Sequence, residues 1–277
     1  MLIFVNYRNM FFGFMLFKVQ LSFCRYTRGM IQTIFKRTET KYLLTEKQVE
    51  ELLSIIEPYL KQDKYFRGTN ISIYFDTDEK WLGIHSLEKP LYKEKIRVRS
   101  YGVPKSLDDT VFIEIKKKFD GVGYKRRVPI KLKDFYKFCN DREAEYKMDD
   151  GSLKVMIDKD IATYTDNPQI EEETRYCFRF YHLKPALFLA YDRTSYIDKD
   201  DPTFRLTFDR KVRSRETNLR LEAGDSGDLY FGKKPMVVME IKSAECYPKW
   251  FVDAISRLKI YPASFSKYGR VLQKIYN

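Results

Sequence analysis

The sequence predicts an α+β fold in which a mostly antiparallel sheet curls into a tunnel-like barrel with a basic lumen and helices flank it. Two features point there: repeated strand runs with a period of two outnumber the helical stretches, and several of these runs set apolar residues on one face against Arg, Lys and isolated Glu on the other. A third is continuity. No repeat, Pro-rich linker or low-complexity tract divides residues 31–277, which therefore read as one domain.

The 277 residues are 44% hydrophobic, 16% aromatic and 32% charged, which supplies a sizeable core and excludes wholesale disorder or a fibrous repeat. Lys and Arg number 51 against 39 Asp and Glu, a net charge of +12 spread along the chain, so an anionic partner is expected. Four cysteines without a CxxC pair and only 2 histidines support neither a disulfide scaffold nor a Cys/His zinc site. A reducing, cytoplasmic location fits this usage.

Residues 1–30 stand apart. Arg8, Lys18, Arg25 and Arg28 are their only charges, and residues 10–17 form an uncharged, mostly apolar run. Such a run is too short to cross a bilayer of ~30 Å, so no transmembrane span is expected. The flank lacks an A-x-A site, and Phe23 before Cys24 spoils a lipoprotein-type cleavage box. The segment reads as a leader of uncertain status, with translation starting at Met30; a signal peptide and a weak amphipathic membrane-surface segment are the alternatives.

Beyond the leader, Thr45 and Gln48 form a capping box ahead of a helix whose apolar stripe is Val49, Leu52, Leu53 and Ile56, and Pro58 ends it. Strands are expected at 71–76, 95–101, 111–117, 187–193, 203–211 and 236–242, with helices at 131–139, at 170–182 and from near Pro248, where Phe251, Ala254, Ile255 and Leu258 make the stripe. Gly121 marks a hairpin turn within 120–124. Alternation then sorts the strand residues. Arg97 and Arg99 share one face; Glu114 and Lys116 oppose Val111, Ile113 and Ile115; Tyr191 and Arg193 lie together; Arg205, Thr207 and Asp209 oppose Phe204, Leu206 and Phe208; Glu240 and Lys242 oppose Val237, Met239 and Ile241.

One such strand alone would be a solvated face over a buried one. Together the charged faces are dominated by Arg and Lys rather than mixed with Ser, Thr and Gln, and a barrel with its apolar faces outward would gather them in one lumen. Clustered cations repel unless a multiply charged anion compensates them. Arg forks and Lys point charges suit a triphosphate or a longer phosphate chain, and an isolated glutamate, best Glu240, can hold a hard divalent ion that bridges phosphate oxygens. No Walker loop, kinase loop or dinucleotide fingerprint is present, and His85 and His182 are isolated. Arg210, Arg213 and Arg215, like Lys118, Lys125, Arg126 and Arg127, read either as cations at a tunnel mouth or as solvated loop charges.

Several motifs carry a family resemblance. Phe35-Lys36-Arg37-Thr38-Glu39-Thr40-Lys41-Tyr42 ahead of a helix, Ile96-Arg97-Val98-Arg99-Ser100-Tyr101-Gly102, Phe112-Ile113-Glu114-Ile115-Lys116, Ala190-Tyr191-Asp192-Arg193-Thr194, Phe204-Arg205-Leu206, Val238-Met239-Glu240-Ile241-Lys242 and Phe265-Ser266-Lys267-Tyr268 follow one another in the order of the VTC domain. Over residues 33–273 the chain resembles this polyphosphate polymerase branch of the triphosphate tunnel metalloenzymes. The resemblance implies an eight-stranded antiparallel tunnel that transfers the γ-phosphoryl of ATP to a growing polyphosphate chain and releases ADP. It implies phosphate contacts from Lys41, Arg97, Arg99, Lys116, Arg193, Arg205 and Lys267, joined by Lys242 on the Glu240 face, with Tyr191 and Ser266 as supporting donors. Arg97, Arg99, Lys116 and Glu240 are the catalytic candidates, and Glu240 is the expected ligand of Mn2+ or Mg2+. ATP and polyphosphate or pyrophosphate are the expected partners; nucleic acid is not.

Two departures matter. Hydrolytic relatives often carry E-x-E-x-K on the first strand, whereas here Arg37 precedes Glu39 and Lys41, which favours transfer over hydrolysis; and Ser264 stands where some relatives have a second lysine. A triphosphatase or nucleoside triphosphatase of the same fold, and a non-catalytic polyphosphate-binding module, are the alternatives.

Overall fold

The computed structural model describes residues 38–140, 163–244 and 246–276, all within one compact unit, Lys36–Asn277. Residues 1–30, where a leader is expected, and Arg37 lie outside the described residues. The elements are β1 (Thr38–Leu44), α1 (Glu46–Ile56), β2 (Leu60–Asp76), α2 (Trp81–His85), β3 (Tyr92–Tyr101), β4 (Thr110–Phe119), β5 (Val122–Lys131), α3 (Leu132–Asn140), α4 (Pro168–Phe180), β6 (Lys184–Asp198), β7 (Arg205–Arg215), β8 (Asp228–Leu229), β9 (Val237–Ser243), α5 (Lys249–Arg257) and α6 (Lys267–Tyr276).

Eight strands run in the order β1-β9-β7-β6-β2-β3-β4-β5, and β8 pairs with β7 off this path. All of the pairings are antiparallel. The expected eight-stranded sheet is therefore present, but among the described residues its edges β1 and β5 do not pair with each other. β5 is built as an edge: Pro129 lacks an N–H, and Lys125, Arg126 and Arg127 crowd the strand with charge. Side chains span where the backbone does not, since Glu39 of β1 lies 3.4 Å from Lys116 of β4.

Local chemistry explains the elements. The Thr45 hydroxyl accepts from the Gln48 N–H at 3.2 Å and the Gln48 side chain accepts from the Thr45 N–H at 3.0 Å, closing the capping box that starts α1. Asp120 and Gly121, with φ of 44° and 78°, make the two-residue turn between β4 and β5, where both positions need positive φ.

Alternation then splits the sheet. On one face Ile71, Ile73, Ile96, Val98, Ile113 and Ile115 pack under Phe135 and Phe138 of α3 and Phe178 of α4. On the same face, further round the sheet, Leu206, Phe208, Met239 and Ile241 pack under Val49, Leu52 and Ile56 of α1 and Phe251 of α5. α6 differs. Its Tyr268, Val271 and Leu272 pack with Tyr74, Leu187, Leu189, Tyr191 and Val238, residues of opposite parity that share the cationic face. Not every helix lies outside, because the apolar stripe of α6 fills the otherwise polar side of the sheet. Tyr268 stacks on Tyr74 with centroids 4.2 Å apart, and its hydroxyl donates to buried Asp76 at 2.6 Å.

Candidate functional site

Cations and carboxylates meet on the face shared with α6, around three acidic centres. The first is Glu114 of β4, buried to 1% side-chain exposure. Arg97 donates to its Oε2 from Nε at 2.8 Å, Lys125 of β5 lies 2.7 Å from its Oε1, and Arg127 and Arg99 stand at 3.6 and 3.9 Å. Burial raises the Glu114 carboxyl, but Arg97, Arg99 and Lys125 outweigh it and hold the group far below the usual range. Each guanidinium is also fixed from its other side. Arg97 donates to the Tyr74 hydroxyl at 2.7 Å, and Arg99 to Ser72 at 3.2 Å and Tyr191 at 3.0 Å.

The second centre is Asp209 of β7, fully buried. Arg193 of β6 grips it through two hydrogen bonds of 2.6 and 2.8 Å, and Lys267 at the start of α6 lies 2.5 Å from Oδ2. Against the effect of burial, Lys267 and Arg193 keep Asp209 ionised. Arg193 and Lys267 also sit 5.3 and 4.7 Å from the centre of the Tyr191 ring. Burial would raise the Tyr191 phenol; Arg99 and Arg193 lower it instead.

The third centre is a checkerboard. Across the β1–β9 pairing Lys41 lies opposite Glu240 and Glu39 opposite Lys242, so opposite charges face each other on one side. Lys242 is 2.8 Å from Glu240, Lys41 is ion-paired with Glu39 and stands 3.8 Å from Glu240, and Lys116 reaches Glu39. Burial and Glu240 push Glu39 up, yet Lys116, Lys41 and Lys242 pull it down to about 2. Glu240 is likewise held well below the usual range by Lys242 and Lys41, against its burial.

Among the described residues no three His, Cys, Asp or Glu side chains converge on a ready-made metal cage. Two ionised carboxylates on neighbouring strands do fit a hard divalent cation that keeps water and draws its remaining ligands from phosphates. Glu240 is the expected ligand, and Glu39, which the residue pattern alone did not single out, stands diagonally from it.

The structure brings the other expected residues to the same face with differing attachments. Arg205, opposite Lys242 in the β7–β9 register, is ion-paired with Asp63 of β2. Ser266 accepts from the Gly269 N–H at 3.3 Å, capping the first turn of α6, and from Lys95 at 2.7 Å. Ser264 is exposed. The arginines considered for a tunnel mouth are tied down: Arg210 to Glu46, Arg213 to Asp192 and Asp225, and Arg215 over Phe188 with its donors on backbone carbonyls. Lys125 and Arg127, by contrast, belong to the Glu114 centre. Lys95 also lines this face and was missed, although it shares the parity of Arg97 and Arg99.

An antiparallel sheet of eight strands thus gathers arginines and lysines around a few ionised carboxylates on one face, with helices packed against it. The chain matches the VTC domain family over residues 36–276 and belongs to that family. It is 29% identical over 209 residues to "Vacuolar transporter chaperone complex subunit 4" of Schizosaccharomyces pombe, a match covering 70% of this chain and 27% of the relative. The chain thus matches only about a quarter of that protein's length. It is also similar, at 12% identity and a TM-score of 0.48, to the solved structure of a putative adenylate cyclase from Bacillus halodurans, covering 86% of this chain and 96% of that one. Among the described residues no helix is long and apolar enough to cross a membrane.

Proposed function

We propose that this chain is a polyphosphate polymerase, an ATP–polyphosphate phosphotransferase that moves the γ-phosphoryl of ATP onto a growing polyphosphate chain, releases ADP and depends on Mn2+ or Mg2+. One observation carries the reading: Lys41, Arg97, Arg99, Lys116, Arg193, Arg205, Lys242 and Lys267 reach a single face from six strands and α6. Phosphoryl transfer asks a protein mainly for alignment and charge neutralisation, which such a face supplies without a covalent nucleophile.

An oxygen of the acceptor's terminal phosphate, or of pyrophosphate or inorganic phosphate at initiation, attacks the γ-phosphorus in line; the new P–O bond forms as the bond to the β-phosphate breaks. Arg97 and Arg99, pre-oriented by Glu114, Tyr74, Ser72 and Tyr191, neutralise charge on the transferring group. Lys116 faces the same space from β4. Arg193, Arg205, Lys242 and Lys267 hold neighbouring phosphates, with Ser266 and the Tyr191 hydroxyl beside them, and Lys41 completes the contact from β1. A divalent cation held by Glu240, with Glu39 nearby, supplies further neutralisation of phosphate oxygens when bound. The cysteine usage supports a cytoplasmic setting.

The pair of ionised carboxylates Glu39 and Glu240 favours a second reading, a tunnel triphosphatase with water as acceptor. Arg97→Ala and Glu240→Ala test the site common to both readings. Each is expected to keep the far-ultraviolet dichroism of the wild type and lose about 10²- to 10³-fold in ATP turnover, the size of one lost transition-state contact. Unchanged ADP release in both variants contradicts the assignment.

A further inference from the structure

The lysines of this face differ in their company. Lys41, Lys116, Lys125, Lys242 and Lys267 each have a carboxylate within ion-pair distance. Lys95 has none among the described residues; its Nζ donates to the Ser266 hydroxyl at 2.7 Å. In the β3–β4 register it lies directly opposite Lys116, an arrangement of like charges that weakens a sheet unless something compensates it. The charges that act on it most strongly are cations, Lys116 from β4, Lys93 and Arg97 from its own strand and Lys41 from β1; the nearby Glu39 of β1 is engaged by Lys41 and Lys116, and the entry to α6, next to Lys267, offers Lys95 the neutral Ser266 hydroxyl. Burial among these charges pushes the Lys95 amine down from 10.5 to about 7.

Resting on the tunnel reading, we propose that Lys95 and Lys116 form a phosphate subsite of the lumen, and that a phosphate of the bound chain, as it settles there, brings a proton from solvent onto the Lys95 amine. The amine's lone pair takes that proton and becomes the ammonium that the anion needs. Polyphosphate binding is then coupled to proton uptake, and its affinity falls as pH rises above the point at which the empty lumen keeps Lys95 charged. Lys95 thereby sets the pH range in which the tunnel grips its chain.

Calorimetric titration of the full chain with tripolyphosphate, in two buffers of different ionisation heat at about pH 8, reads the protons taken up per bound chain. The wild type is expected to take up nearly one more proton than Lys95→Arg, whose guanidinium stays charged throughout. Relative to Lys95→Arg, the wild-type affinity should fall by up to about tenfold for each pH unit above 7. Lys95→Met, which cannot carry the charge, should bind more weakly than the wild type below pH 7, where the wild type is already protonated. Proton uptake and pH profiles equal in the wild type and Lys95→Arg overturn the proposal while leaving the tunnel intact. No binding of tripolyphosphate by the wild type at acid or neutral pH overturns the tunnel reading and the subsite with it.

Discussion

The β3–β4–β5 wall and the β1–β9 wall contribute to the same cationic face but are charged in different ways. On the first, one buried carboxylate, Glu114, anchors Arg97, Arg99, Lys125 and Arg127, and tyrosine and serine hydroxyls fix both β3 guanidiniums from behind. On the second, Glu39 and Glu240 alternate with Lys41 and Lys242, and Lys116 reaches across. Guanidiniums stay charged and keep their orientation, whereas ammonium groups are mobile, titratable and easily re-paired. On the polymerase reading proposed above, the difference amounts to a division of labour: the fixed arginines set phosphate geometry, while the lysines, Lys95 of β3 among them, adjust charge and Glu39 and Glu240 are left for a cation.

The largest contrast is in stability. Glu114→Gln strands several cations around a buried site and should cost about 2–3 kcal/mol of unfolding free energy, somewhat under the range for fully buried pairs because Lys125 is half exposed. Glu240→Gln, at a carboxylate less deeply buried than Glu114 and with fewer cations around it, should cost about 1 kcal/mol. Urea unfolding measures both, and equal losses would erase the distinction between the walls. Next comes geometry. Arg99→Lys keeps a charge but loses the hydrogen bonds to Ser72 and Tyr191, so ATP turnover should fall by about tenfold or more, while Lys41→Arg should change it less. Steady-state rates of the two variants rank the effects, and the reverse order would assign the geometric role to the lysine wall.

The smallest effect is in acid. Glu39 is held at about 2 in the folded protein against an ordinary 4.5, so its stabilising contribution is present above 4.5 and is lost as pH falls towards 2. The stability gap between the wild type and Glu39→Gln should therefore narrow across that interval. A gap that widens as pH falls would mean that Glu39 is not held ionised by its lysines.

Much of this arrangement is written in strand parity. Arg97, Arg99, Arg193, Glu240 and Lys242 were assigned to a single face because a period of two leaves a side chain no third option. Parity does not reveal which acid holds which cation: that Glu114 and Asp209 are buried anchors follows from long-range pairing of β4 with β5 and from α6, whose place no local pattern marks. The stripe Tyr268, Val271 and Leu272 shows that α6 is amphipathic, not that it covers the cationic face. β5 was missed because its charged sequence and Pro129 imitate a loop, and the open edges escaped because backbone pairing between distant strands leaves no side-chain signature. Lys95 was legible by parity and was passed over beside the more conspicuous arginine pair.

Phosphorus NMR of the full chain with ATP, Mg2+ and a pyrophosphate primer tests the central claim most directly, because each phosphate environment is counted separately. Loss of the γ signal matched by ADP and by growing internal-chain resonances is the predicted result. Loss of the γ signal matched by free orthophosphate alone would contradict transfer to polyphosphate and leave the hydrolase.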